Sequence, residues 1–205
     1  MNRHIGRTEM TIEIAANVKK LTTGVTRVGF VNVFRPRKNQ NSDKEEYSMQ
    51  LLIPKSEKET IAKIKKAVKQ AKEDKFGGKS IPKLRNPLRD GDNPDDLPGK
   101  AELGAEPYAG HFFLNVKSNA DNPPGVVDLK LEKIIDPSEF TSGDYCRVSM
   151  NAYAYDNVSQ GVSFGLLNVQ VVRKGKPIGG TSSRPEDDFE VYQPEDGDED
   201  DDFLS

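Results

Sequence analysis

The chain has no tryptophan, one cysteine and two histidines in 205 residues. A single thiol, Cys146, cannot close an intramolecular disulfide, so nothing ties the fold to an oxidising compartment. With only His4 and His111 beside it, no Cys/His set for a zinc ion can form. No apolar run approaches the roughly 20 residues of a membrane-spanning helix. Residues 1–7 are charged without an apolar stretch behind them, which does not read as a signal peptide. Met10 offers an alternative start, and residues 1–10 read as a flexible N-terminus. Also missing are a Walker-type phosphate loop, a dinucleotide fingerprint and a GxSxG elbow. These absences give no reason to propose an enzyme, a cofactor or a metal. They leave a protein expected in the cytoplasm, with no membrane among its partners.

What is present is charge, unevenly placed. Hydrophobic residues make up 34% and charged residues 31%, with a formal net charge of -3. Residues 185–205 hold 11 acids and no Lys or Arg. Removing those 11 from the 33 acids leaves 22 against 30 bases in residues 1–184. The body is therefore +8 and the tail -11, an asymmetry that the net charge hides.

Residues 25–34 and 47–53 read as strands, joined by a polar, basic loop at 35–43. A helix follows, with Ser56 and Glu59 as a capping box, an apolar stripe at Ile61, Ile64, Val68 and Ala71, and Gly77-Gly78 as its end. Residues 79–110 form a long excursion punctuated by Pro82, Pro87, Pro94, Pro98 and Pro107. Strands return at 111–117, 126–135, 145–155 and 162–173. One helix among five or six strands predicts an all-β fold, an antiparallel barrel or sandwich. A five-stranded OB-type barrel with long loops fits the count. The helix follows the second clear strand, so either an early strand lies in 11–18 or the topology is modified. The barrel domain is expected over 11–184, and a disordered acidic tail over 185–205.

Strand alternation separates two faces. Phe112, Leu114 and Val116 face a core, as do Cys146, Val148, Met150, Ala152 and Ala154. Cys146 accordingly reads as a buried structural cysteine. Phe113, Asn115 and Lys117 are expected on the open side, with Tyr145, Arg147, Asn151, Tyr153 and Tyr155. Aromatics interleaved with cations and amides suit single-stranded nucleic acid, whose bases stack on rings and whose phosphates need positive charge. The plainer reading is that these rings shield the sheet beneath a covering loop. Arg35, Arg37 and Lys38 at the hairpin tip, and Lys83, Arg85 and Arg89 in the excursion, can track a phosphate backbone or simply solvate the surface. The helix lysines read mainly as a solvated face. Asp90, Asp92 and Asp95 superficially resemble a metal loop, but the terminal Glu of a calcium loop is missing.

The tail cannot fold alone, being of like charge until its end. Asp200, Asp201 and Asp202 precede Phe203 and Leu204, which has the form of a docking motif. Its charge also mimics DNA, so it can occupy the basic face until DNA displaces it.

Several stretches resemble a bacteriophage family of single-stranded DNA-binding proteins. They are residues 31–36 (VNVFRP), 47–55 (YSMQLLIPK), 87–92 (PLRDGD), 110–118 (GHFFLNVKS) and 165–172 (GLLNVQVV). The resemblance spans about residues 25–189. It implies an OB fold and a role in phage DNA replication, recombination and repair in the bacterial host cytoplasm. The chain is also similar to podophage replication proteins whose acidic tails end in an aromatic residue. That likeness implies recruitment of polymerase and primase-helicase, or of a recombinase, and a possible homodimer. Here Phe203 is followed by Leu204 and Ser205, a departure from that pattern. Two rival readings stand beside this one. The first is a phage structural or interaction module working through its tail. The second is a magnesium-dependent nuclease using Asp90, Asp92 and Asp95.

Overall fold

The computed structural model describes residues 18–39, 44–82, 84–97, 106–157, 159–178 and 190. In chain order the strands are β1 (Lys20–Thr22), β2 (Thr26–Lys38), β3 (Glu45–Pro54), β4 (Arg89–Asp90), β5 (His111–Asn119), β6 (Gly125–Val127), β7 (Tyr145–Asp156) and β8 (Gln160–Arg173). The helix α1 (Lys58–Phe76) lies between β3 and β4. Antiparallel pairing runs β7–β2–β3–β5, β8 pairs antiparallel with β7, and β5 meets β8 in parallel at Val116 and Lys117. The ring β2–β3–β5–β8–β7 therefore closes on itself. A three-stranded antiparallel meander, β2–β3–β5, and the β7–β8 hairpin, joined by one antiparallel and one parallel contact, are the topology of an OB-type barrel. β1 adds to β7, β6 adds to β8 in parallel, and β4 adds to β5.

Among the described residues the expected five or six antiparallel strands are thus eight, five of them in the ring, and two strand pairings are parallel. The missed early strand is β1, at 20–22. Residues 11–17 lie outside the described part, and Val18 sits in a turn.

The inward alternating residues fill the barrel, among them Val28, Met49, Leu51, Ile53, Leu114, Val116, Val148, Met150 and Phe164. Cys146 is buried with them, and burial pushes its thiol up to about 12. α1 presents Ile61, Ile64, Ala67 and Ala71 to the same core, with Val68 at its margin. The helix packs against β7 and β1. It ends at Gly77, which takes the left-handed conformation and donates its N–H to the Glu73 carbonyl at 2.8 Å. The capping box does not form. Ser56 lies one residue too early, because the first helical bond runs from Ile61 to the Glu57 carbonyl. Glu59 pairs instead with Lys63 at 2.7 Å.

Two further expectations change. Residues 35–38 belong to β2, and the hairpin tip narrows to the span between Asn39 and Lys44, whose backbones bond at 2.9 Å. Of 126–135, only the first two residues are strand. The Asp128 carboxylate accepts from the Lys130 and Glu132 N–H groups, both at 2.8 Å, and turns the chain. Leu129, Leu131 and Ile135 are left exposed beyond it.

The described parts of the excursion are anchored to the barrel. Asp90 and Asp92 both pair with Lys55, at 2.5 and 2.8 Å. Those hydrogen bonds hold both carboxylates below the ordinary range. A Cβ on Gly91 would stand 2.1 Å from the Tyr108 carbonyl oxygen, so the chain crossing requires glycine. Tyr108 then covers the outer face of the sheet. With Leu52, Phe113 and Ile178 it makes a second, smaller core outside the barrel.

Candidate nucleic-acid interface

The second core divides the outer face of the sheet. At its covered end Phe113 is fully buried, with the Tyr108 ring 4.8 Å away and the Arg89 guanidinium 4.2 Å above it. Phe113 therefore cannot be the exposed stacking platform expected of it, because the excursion folds back over that stretch of β5. Arg89 is committed to the same contact. Burial lowers its pKa, opposed by the nearby Tyr108 and Asp96.

Beyond this cover the face stays open. Asn115 is exposed, and its Oδ1 accepts from Gln50 Nε2 at 3.0 Å. Gln50 Oε1 in turn accepts the Tyr108 hydroxyl at 2.8 Å. One hydrogen-bonded chain thus links the excursion to the open surface.

The open face holds a groove of about 860 Å³. Lys117, Tyr153 and Tyr155 line it together. Asn39 and Lys44 of the β2–β3 tip close one flank, and Asn157 and Ser159 of the β7–β8 tip the other. In OB barrels the face of the second and third ring strands, between these two tips, is the usual oligonucleotide site. Gly161 lets the Tyr155 ring lie close on the sheet, while Tyr153 meets Gly165 at ordinary contact distance. A Cβ on Gly161 would fall 2.5 Å from Tyr155 Oη, and one on Gly165 would fall 3.9 Å from Tyr153 Cε1. Tyr153 remains 38% exposed. Arg85 forms a parallel bridge with Gly161, its N–H bonding the Gln160 carbonyl at 3.1 Å. The excursion thereby delivers a cation to the Tyr155 end of the groove.

Lys117 Nζ is 3.2 Å from Glu46, whose other oxygen accepts from Asn39 Nδ2 at 2.9 Å. Ser118 Oγ, also lining the groove, is buried without a hydrogen-bond partner among the described residues. Arg37 stands opposite Glu46 across the hairpin and Lys38 opposite Glu45; both cations and Arg35 are exposed on its arm. Arg147 is elsewhere, lining a separate cleft beside β1 and α1. Lys83 and the tail residues 200–204 lie outside the described residues.

A family model described as the single-stranded DNA-binding protein of Enterobacter phage Enc34 matches residues 19–204. The chain belongs to this family. The match takes in the acidic segment as well as the barrel. Protein p50 of Acyrthosiphon pisum secondary endosymbiont phage 1 is 29% identical over 180 residues, covering 86% of this chain and 97% of that protein. Among solved structures, the Enc34 single-stranded DNA-binding protein in complex with single-stranded DNA is similar with a TM-score of 0.64. It is 19% identical and covers 78% of this chain and 90% of its own. Gp2.5, a single-stranded DNA-binding protein of bacteriophage T7, gives a TM-score of 0.52 at 15% identity, over 77% of this chain and 93% of its own. At these identities the likeness is one of fold, and it places the chain among OB-type barrels.

The geometry bears only on the aspartates of the nuclease reading. Asp90 and Asp92 are engaged by Lys55, and the Asp95 N–H is held by the Asn93 side chain at 3.2 Å. Among the described residues, no group of three or more His, Cys, Asp or Glu side chains could hold a metal ion. Among them too, no helix is long and apolar enough to cross a membrane.

Proposed function

We propose that this protein binds single-stranded DNA, without sequence preference, in the groove between the two hairpin tips. The observation that carries the reading is the meeting of Tyr153, Tyr155 and Lys117 on the open sheet face of an OB barrel. Bases stack on the two tyrosines, each contact contributing about 1–3 kcal/mol. Phosphates are neutralised by Lys117, by Arg85 at the groove's end and by Arg35, Arg37 and Lys38 on the hairpin arm. Asn115 supplies a hydrogen-bonding amide beside them. Stacking and phosphate contact are both indifferent to base identity, so affinity follows backbone charge and salt. Two structural neighbours, the single-stranded DNA-binding proteins of phages Enc34 and T7, support the same class of ligand.

The DNA-binding unit spans residues 11–184, between residues 1–10 and the acidic segment at 185–205. With a charge of -11 against the body's +8, that segment competes with DNA for the groove. Asp200–Leu204 then offers a docking motif for replication proteins such as polymerase or primase-helicase, or for a recombinase, in phage DNA replication, recombination and repair. Self-association as a homodimer fits the same scheme.

Binding of labelled oligo-dT against salt, with and without magnesium, tests this for the full chain and for one ending at Arg184. Tighter binding by the shorter chain, a steep loss with salt and an intact oligonucleotide are expected. Salt-insensitive binding would favour the interaction-module reading, and magnesium-dependent degradation the nuclease.

A further inference from the structure

The groove accounts for Lys117, Tyr153 and Tyr155 but leaves Arg147 unexplained. Arg147 shares the outer face of β7 with Asn151, Tyr153 and Tyr155, since the inward positions between them are buried or partly buried. From Tyr153 back to Arg147 is six residues, about 20 Å along the strand. β1 runs beside this stretch, with Lys20 opposite Asn151 and Thr22 opposite Ser149, and both β1 residues are exposed. The path ends in a second cleft of about 530 Å³ between β1 and the first half of α1, lined by Lys20, Lys63, Lys66 and Arg147. Two acids, Glu57 and Glu59, also line it. Glu59 is taken up by Lys63. Among the described residues no ion pair engages Lys20, Lys66 or Arg147, and Arg147 has only a 3.5 Å hydrogen bond to Gln170.

We propose that this cleft is a second phosphate-binding segment of the same interface: a single strand leaving the groove past Tyr153 runs along β7 and is held by Lys20, Arg147 and Lys66. The inference rests on the groove reading and extends it. Two observations favour a nucleic-acid strand as occupant: four cations against two acids in the lining of the cleft, and the outer face of β7 that Arg147 shares with the stacking tyrosines. The cleft itself supplies no exposed ring, so its contribution is electrostatic. It should strengthen binding only for strands long enough to reach it.

The test compares the full chain with its Lys20→Gln, Lys66→Gln, Arg147→Gln triple variant. Each is titrated with labelled oligo-dT of about 6 and about 20 nucleotides, lengths that span the site sizes of single OB folds. All three replaced side chains are exposed, and equal affinity for the short strand doubles as the check that the variant is folded. The expected result is unchanged binding of the short strand. For the long strand we expect at least about tenfold weaker binding at low salt and a log–log salt slope shallower by about 2, at about 0.7 per lost cation. Wild-type affinity and slope on the long strand would overturn the inference, as would an equal loss on both lengths. Failure of the unmodified protein to bind either length would instead overturn the groove reading.

Discussion

Replacing Tyr153 with alanine probes the stacking surface with the least disturbance to the barrel. One ring edge rests against the bare backbone at Gly165, and the side chain keeps 38% of its surface exposed. Its loss removes a platform without opening the core. One base–aromatic contact contributes about 1–3 kcal/mol, so the dissociation constant should rise roughly 5- to 150-fold. A ring carries no charge, so the salt slope should not move. Lys117→Gln should do the reverse, flattening the slope by about 0.7. Fluorescence anisotropy with labelled oligo-dT over a salt series reads both quantities, and Tyr153→Phe should keep wild-type affinity. A related change acts through geometry: Gly161→Ala puts a methyl 2.5 Å from Tyr155 Oη, so that ring must shift off the sheet and binding should weaken in the direction of Tyr155→Ala. A Tyr153→Ala protein that is folded and binds within about twofold of wild type would refute the stacking argument, since even the weakest contact predicts more.

Other consequences separate structural from binding roles. Phe113→Ala should cost about 3–5 kcal/mol in urea unfolding, because it empties the second core, while the folded fraction keeps its affinity for oligo-dT. An undiminished stability with lost binding would return Phe113 to the interface. The Cys146 thiol, raised by burial from 9.0 to about 12, stays protonated in the fold. The unfolded chain ionises first, so the stability it contributes is complete below pH 9 and is lost as pH rises towards 12. Native protein should resist thiol reagents at pH 9 until denatured, and Cys146→Val should remove that part of the alkaline loss. Asp90 and Asp92 run the other way. Lys55 holds both below the ordinary carboxylate range, so their contribution is present at neutral pH and is lost as pH falls through their lowered values. Protection of the amides around 89–92, corrected for the intrinsic exchange rate, should fall in acid, and Lys55→Gln should reduce that acid dependence, leaving the part due to the Asp92 and Gly110 N–H groups.

Periodicity made most of the barrel legible, because inward residues on half-buried strands must alternate. Val148, Met150 and Ala152 follow that pattern, as do Leu114 and Val116. It failed where a non-local element decides the outcome. Phe113 alternates as an outward residue, and only the excursion, returning through Tyr108, makes outward mean buried. The run at 126–135 has strand composition, yet Asp128 captures two backbone N–H groups and breaks it. The basic stretch at 35–38 reads as loop by charge and proline, but Arg37 and Lys38 pair in register with Glu46 and Glu45. Arg147 shares a face with the tyrosines, but distance along the strand carries it to another cleft. Gly161 carries a signal of its own, since glycine inside a strand marks a close approach, here by the Tyr155 ring. Asn39, Lys44, Asn157 and Ser159 carried none, since polar residues in turns are ordinary.

Photocrosslinking addresses the central claim most directly. Oligo-dT carrying a photoreactive halogenated uracil would be bound to the full chain, irradiated, and the adducts located by mass spectrometry. The account predicts adducts at Tyr153 and Tyr155, reduced by added salt and by unlabelled oligo-dT. Adducts confined to residues outside the groove, such as Tyr145 beneath Arg173, with none at Tyr153 or Tyr155, would contradict it.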